Sequence, residues 1–215
     1  MISVEVILPC LDEAGALPGV LAAMPPGYGV LVVDNGSVDG SAEVAAAHGA
    51  RVVVEPRRGY GAAVHAGLEC SRADVVCVLD ADGSVDPGEL PRLVAELGGA
   101  VDLVVGRRIP AVRAAMSWHS RAGNAALAGW LRRRGIPVHD LAPIRVARRT
   151  DLLDLGVQDR GSGYPLETLL RAGARGWVIR ELPVAYLPRV AGRSKVSGSV
   201  RGTLRAVRDM SAVLR

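Results

Sequence analysis

Short apolar runs recur through the first half of the chain. They fall at 4–8, 30–33, 75–79 and 102–105, with a further β-branched run at Arg51–Val54. Each is strand-sized and bounded by Pro, Gly, Asp or Asn. Helical spacing fills the gaps, over 13–24, 38–48, Tyr60–Cys70 and 87–97. In Tyr60–Cys70 the residues Ala62, Ala63, Ala66 and Gly67 offer a small-residue packing face. Strand–helix alternation of this kind predicts parallel strands joined by right-handed crossovers. Runs apolar on both faces predict a sheet covered by helices on both sides. The second half is less regular. It predicts a helix over 115–133, a strand near 144–147, short helices over 150–155 and 166–172, a strand within 177–187 and a basic amphipathic helix over 200–214. No linker divides the pattern, so one α/β domain is expected.

Composition narrows the class. The 215 residues suit one α/β domain, and 49% apolar with 22% charged is ordinary for a folded chain. No run approaches the ~18–20 apolar residues of a membrane span. The start lacks a basic n-region, so no signal peptide is expected. Cys10, Cys70 and Cys77 are few, odd in number and without metal-like spacing, which fits a reducing cytoplasm. The net charge of +4 hides a segregation. Residues 1–106 carry 5 basic and 15 acidic side chains, and residues 107–215 carry 21 basic and 7 acidic. An acidic half suits a divalent cation, and a basic half suits phosphates or an anionic membrane face. Phe is absent and aromatics are 3%, which argues against base-stacking platforms and hence against nucleic acid as a partner.

Open α/β sheets bind ligands beyond the carboxyl ends of their strands. After the first run come Asp12 and Glu13, after the second Asp34 and Asp39, and after the fourth Asp80 and Asp82. Taken singly, each has an ordinary explanation: Asp39 at a helix start, Asp12 or Glu13 facing water. Taken jointly, carboxylates at one sheet edge repel unless a cation or a donor-rich ligand sits among them. Asp80-Ala81-Asp82 is the sharpest element, because two hard oxygen donors past a buried strand suit Mg²⁺ or Mn²⁺ with phosphate.

Four segments carry a resemblance to a known family: Val-Ile-Leu-Pro-Cys-Leu-Asp-Glu at 6–13, Val-Val-Asp-Asn-Gly-Ser-Val-Asp-Gly-Ser at 32–41, Arg-Gly-Tyr-Gly-Ala-Ala at 58–63 and Asp-Ala-Asp-Gly-Ser at 80–84. Over nearly its whole length the chain resembles family 2 glycosyltransferases of the GT-A fold. Two positions depart from the usual pattern: Asp12 stands where the family has Asn, and Asn35 where it has Asp. The resemblance implies a single-domain, Rossmann-like, mostly parallel sheet. Residues 1–106 would bind a UDP- or GDP-sugar and a metal, and 107–215 would form a basic acceptor lobe. Pro9, Leu11, Glu13 and Asp34 would line the base and ribose pocket, and Asp80 with Ala81 would sit by the ribose and diphosphate. Asp82, with Asp80, would hold Mg²⁺ or Mn²⁺, and Gly59 and Gly61 would let backbone approach the donor. Breaking the sugar–phosphate bond leaves a diphosphate, whose developing charge a metal stabilises.

In the second half, Asp-Leu-Ala-Pro-Ile-Arg at 140–145, Gly-Tyr-Pro-Leu-Glu at 163–167, Glu-Leu-Pro-Val at 181–184 and the Arg189-x-x-Gly-x-Ser-Lys segment resemble the dolichyl-phosphate mannose synthase branch. That branch transfers sugars to polyprenyl phosphates. Arg189, Arg193, Ser194, Lys195 and Ser197 form a dense set of phosphate donors, with Arg107, Arg121 and Arg145 as further candidates. The Asp that serves relatives as a general base is missing near Tyr164-Pro165. A phosphate acceptor is already ionised and needs no base. Asp140 and Glu167 are the candidate bases for a hydroxyl acceptor. His48 and His65 read as structural or exposed, and His119 as a further phosphate contact. The expected reaction is inverting transfer to a polyprenyl phosphate in the cytoplasm, with peripheral membrane contact through the tail helix. Two alternatives stay open: a soluble hydroxyl acceptor, and a non-catalytic nucleotide-sugar-binding protein.

Overall fold

Seven strands form one sheet in the order β3-β2-β1-β4-β6-β5-β7. They are β1 (Val4–Cys10), β2 (Gly29–Asp34), β3 (Arg51–Val54), β4 (Val75–Val78), β5 (Leu103–Pro110), β6 (Ile144–Arg148) and β7 (Ile179–Tyr186). The helices are α1 (Leu17–Ala22), α2 (Ser41–Ala47), α3 (Tyr60–Cys70), α4 (Leu90–Ala95), α5 (Trp118–Arg133), α6 (Arg149–Asp154), α7 (Tyr164–Ala174) and α8 (Val200–Val213). The computed structural model describes residues 2–112, 115–116, 118–142, 144–191 and 200–214, and for 200–205 the backbone only.

The apolar runs become strands for the reason their pattern gives. Successive side chains of a strand point to opposite faces. Ile7, Leu31 and Val33 go to one core, with α3 and α7 residues such as Val64, Leu68, Leu166 and Leu169. Val6, Leu8 and Val32 go to the other, with Leu17, Val20, Leu90 and Leu93 from α1 and α4. At Gly67 an added Cβ would lie 2.4 Å from Ile7 Cγ2, so the glycine lets α3 settle directly on the sheet.

The sheet is mostly parallel, as expected, and β6 is the exception. β6 runs antiparallel to β4 and to β5, between which it inserts. Its register sets Arg145 against Val78 and Ile144 against Gly106. The start of β6 therefore meets the carboxyl ends of β4 and β5, and the preceding turn at 139–142 lands at the ligand edge. Several helices are also shorter than their spacing predicts, α1 and α4 most of all. Pro18 sits in the first turn of α1 and fixes its start, leaving Glu13–Ala16 as a turn closed by Ala16 N–H on Glu13 C=O at 2.9 Å. The 87–97 stretch splits into a 3₁₀ turn at Pro87–Glu89, capped by Asp86, and α4, which has its own early proline, Pro91.

Of the tail helix, α8 rests on the domain through Ala206, which is buried, and through Met210 and Val213 against the α3/α7 core. Asp209 of α8 accepts a hydrogen bond from Ser162 N–H at 3.2 Å. Val207 faces outward and is exposed. Among the described residues no helix is long and apolar enough to cross a membrane.

Candidate active site

The paired ends of β1, β2 and β4 set the acids side by side, with Cys10 opposite Asp34 and Ile7 opposite Val78. The structure then sorts those acids into two groups. Asp34, Asp12 and Asp39 serve the turns. Asp34 accepts from Ser37 N–H at 3.1 Å and Gly36 N–H at 3.3 Å. Asp12 accepts from Val38 N–H at 2.9 Å. Asp39 accepts from Ala14 N–H at 3.0 Å and from the Ser41 hydroxyl at 2.5 Å. Glu13 and Asp82 form the second group, bridged by one guanidinium: Arg189 Nη1 lies 2.9 Å from Glu13 Oε1, and Nη2 lies 2.8 Å from Asp82 Oδ2.

Asp82 is buried, and its other oxygen accepts from Ser84 N–H at 2.8 Å. Asp80 stands beside it. Burial, with the neighbouring Asp82 charge, pushes the Asp80 carboxyl up to about 7 against the pull of Arg108, Arg189 and Arg145. Among the described residues no three His, Cys, Asp or Glu are grouped to hold a metal by themselves. The Asp80–Asp82 pair does fit a hard cation that keeps waters and takes its remaining ligands from phosphate oxygens. Ala81 is buried between the two acids, and Pro9 and Leu11 are half-buried at the mouth of β1.

A second cleft, of about 210 Å³, opens beyond β5 and α5. Arg107 and Arg121 line it, with Arg108, Asn124, His139, Asp140, Met116, Ile109 and Pro110. Asp140 lies at its floor in the fork of Arg108: Nη2 to Oδ1 at 2.6 Å, with Nε and the backbone N–H to Oδ2, both at 2.8 Å. Burial raises the Asp140 carboxyl, but these bonds outweigh it and hold it below the usual carboxylate range. Glu181 of β7 braces the same turn, accepting from His139 N–H at 2.6 Å and Asp140 N–H at 3.1 Å. Ile109, Pro110 and Met116 give the cleft its apolar lining, and Ile109 is exposed.

The structure reassigns several residues. Glu167 lies in a different place, in a groove between α7 and α8 lined also by Leu170 and Val213. Its carboxylate accepts from Asp159 N–H at 2.7 Å, Gln158 N–H at 3.0 Å and Arg171 Nε at 2.5 Å. Burial works upward there, but those bonds win and its pKa is lowered. Arg145 is buried, with Nη2 donating to Leu141 C=O at 2.7 Å and Ala142 C=O at 2.6 Å, so it braces the β6 entry from inside. Gly59 and Gly61 are not bare toward a ligand. The chain at 160–164 fills the space: Gly61 N–H donates to Gly161 C=O at 3.0 Å, and a Cβ at Gly59 would lie 2.1 Å from Arg160 O. His119 meets Trp118 edge-on instead of lining the cleft. Arg193, Ser194, Lys195 and Ser197 lie outside the described residues.

With this geometry in view, the family model described as Glycosyl transferase family 2 matches residues 5–151. The chain belongs to that family. It is 57% identical over 213 residues to an uncharacterized glycosyltransferase of Mycobacterium tuberculosis, covering 99% of this chain and 98% of that protein. It is 34% identical over 216 residues to the undecaprenyl-phosphate mannosyltransferase of Micrococcus luteus, covering 91% and 88%. The glucosyl-3-phosphoglycerate synthase of M. tuberculosis, solved with Mn²⁺, uridine diphosphate and glucosyl-3-phosphoglycerate, shares the fold. Its TM-score is 0.80 at 23% identity, over 99% of this chain and 78% of that one.

In this family 2 glycosyltransferase the two departures from the usual pattern have backbone reasons. Asn35 Nδ2 donates to Glu55 C=O at 2.9 Å and Arg57 C=O at 2.8 Å, while Oδ1 accepts from Gly59 N–H at 2.8 Å. An ionised Asp could not donate to either carbonyl. Asp12 sits at φ 54°, a left-handed conformation that Asn and Asp both tolerate. Sequence reasoning missed Arg108, Asn124 and His139 at the cleft. The adjacent Arg107-Arg108 pair just past the apolar run at 102–105 was the available signal for the first.

Proposed function

We propose that this glycosyltransferase moves a sugar, with inversion, from a nucleoside diphosphate donor to the phosphate of a polyprenyl phosphate. The observation that carries the reading is the second cleft, which Arg107 and Arg121 line together with the apolar side chains of Ile109, Pro110 and Met116. Two cations fit a phosphate, and the apolar lining suits a prenyl chain. The cytoplasmic, peripheral setting proposed for the enzyme follows from that acceptor. The M. luteus relative, named for transfer to undecaprenyl phosphate, supports the same class.

Pro9, Leu11 and Glu13 form the mouth that takes the nucleoside, and Asp34 holds the turn beside them. Asp82, with Asp80, would hold Mg²⁺ or Mn²⁺, which supplies charge stabilisation for the leaving diphosphate. An acceptor phosphate oxygen forms the new bond to the anomeric carbon as the bond to the diphosphate breaks. No proton has to be removed, which agrees with both candidate bases being engaged: Asp140 by Arg108 and Glu167 by Arg171 and two N–H groups. Arg107 and Arg121 hold the incoming phosphate, and the 189–197 segment adds donors from the chain itself.

Charge-assisted hydrogen bonds are worth ~1.5–3 kcal/mol, so Arg107→Ala and Arg121→Ala should each raise the acceptor KM ~10-fold or more. The donor KM should stay within about twofold. Acceptor kinetics with a short-chain polyprenyl phosphate test this. An unchanged acceptor KM in both variants refutes the site. A soluble phosphorylated alcohol outperforming the lipid would move the proposal to a small acceptor in the same cleft.

A further inference from the structure

The geometry points to Arg189 as an exchangeable stand-in cation that occupies the metal-holding acid until a divalent ion displaces it. The inference rests on the reading of Asp82 as that acid. Arg189 reaches it from far along the sequence, 176 positions from Glu13. The chain that carries it is fastened over the site at two points. Leu187 N–H donates to Ser84 C=O at 2.8 Å and Val190 N–H to Asp82 C=O at 3.1 Å. The same strap packs into two glycine turns: a Cβ at Gly83 would meet Val190 Cγ2 at 2.6 Å, and one at Gly15 would meet Ala191 Cβ at 3.1 Å. The strap thus spans the turns that follow β1 and β4.

Charge explains why a cation belongs there. Glu13, Asp80 and Asp82 all act electrostatically on Arg189, Glu13 and Asp82 from buried positions, and carboxylates so placed need a counter-charge. Arg108 and Arg145 are committed elsewhere, to Asp140 and to the 141–142 carbonyls. Arg189 is the guanidinium that bonds directly to two of the three acids, and its side chain keeps 25% exposure, a route back to solvent. A divalent ion arriving with a diphosphate supplies the missing positive charge at Asp82. Arg189 then becomes surplus at the acid and free for a phosphate oxygen. One side chain would therefore serve a carboxylate pair before the donor binds and a phosphate afterwards, tying exposure of the acceptor cation to donor loading.

The consequence has a sign that a plain phosphate-binding role lacks. A ligand's apparent affinity is reduced by the fraction of protein that is competent to bind it. If Arg189 occupies Asp82 in ~90–99% of molecules, Arg189→Ala should tighten Mn²⁺ binding ~10–100-fold in the absence of nucleotide. The free Mn²⁺ signal in electron paramagnetic resonance reads this directly. Arg189→Lys, which cannot bridge two carboxylates with one planar fork, should fall between. Arg107→Ala, at a cation of the second cleft, controls for the loss of one positive charge from the protein and should change Mn²⁺ affinity by no more than about twofold. Equal Mn²⁺ affinity in wild type and Arg189→Ala overturns the proposal, as does equal tightening by Arg107→Ala. UDP or GDP titrations separate that failure from a deeper one. Mn²⁺-dependent nucleotide binding with no Arg189 effect leaves the donor site standing and removes the exchange. No Mn²⁺-dependent nucleotide binding in any of these proteins overturns the metal reading together with the proposal.

Discussion

Restoring the residue usual for the family at position 35 should damage this protein. Asn35 clamps the 55–59 turn through three hydrogen bonds, two of which require its amide donors. In Asn35→Asp both donors vanish, and a carboxylate is brought against the Glu55 and Arg57 carbonyl oxygens. Two lost hydrogen bonds cost ~0.5–1.5 kcal/mol each, and the facing oxygens add a desolvation penalty, for a total of ~2–4 kcal/mol. In a chain of this size that lowers the Tm by ~5–12 °C. The new carboxyl would have its pKa raised by burial and by those oxygens. Its penalty is therefore fully present above the folded-state pKa and disappears as the pH falls below the unfolded value. Thermal unfolding at pH 7.5 and at pH 4, with Asn35→Ala as the charge-free comparison, measures each part. The variant should lose less at the lower pH, and Asn35→Ala should fall between wild type and Asn35→Asp at pH 7.5. An Asn35→Asp protein as stable as wild type at pH 7.5 refutes the clamp.

Two further perturbations follow from the buried charges. Arg108→Ala strands the buried Asp140 without its fork and should cost about 3–5 kcal/mol, read by urea denaturation. A loss under 1 kcal/mol would show that Asp140 does not depend on Arg108. Asp80 is raised to about 7, so the folded protein retains a proton that the unfolded chain has released. Metal-free stability should then fall as the pH climbs from about 4 through 7, and the deficit is complete above that range. Asp80→Asn removes the deficit and should be more stable than wild type by ~4 kcal/mol at pH 8 in chelator, and about equal at pH 4. The same difference at both pH values would contradict the origin assigned to it.

Much of this architecture is legible in the sequence because its causes are local. The apolar runs that become β1 to β5 carry β-branched residues with turn signals at their ends, and α3 begins and ends where its pattern does, at Tyr60 and Cys70. Asp80 and Asp82 fall at the end of β4 because any strand feeding a ligand edge must stop there. The direction of β6 is not local. Its run reads the same in either orientation, and only the path through α5 and the 134–142 turn decides which way it enters. Arg145 is misleading for a related reason: an Arg in a strand suggests a charged surface, yet here its Nη2 is held inside by the carbonyls at 141 and 142. The acids at the strand ends look alike in sequence. Which of them serve turns and which stay with the site depends on Ser37, Ser41 and the main-chain N–H groups they meet. That Arg189 balances Glu13 and Asp82 could be seen only once the chain was folded.

The central claim is transfer to a lipid phosphate, and one assay addresses it most directly. Nucleoside diphosphate release would be followed from a panel of UDP- and GDP-sugars with Mn²⁺ or Mg²⁺. Each donor would be tested alone, with a short-chain polyprenyl phosphate, and with the corresponding prenol. The account predicts release from one donor that needs the metal and rises only with the phosphorylated lipid. Release that is indifferent to the lipid phosphate, or equal with the prenol, would contradict it.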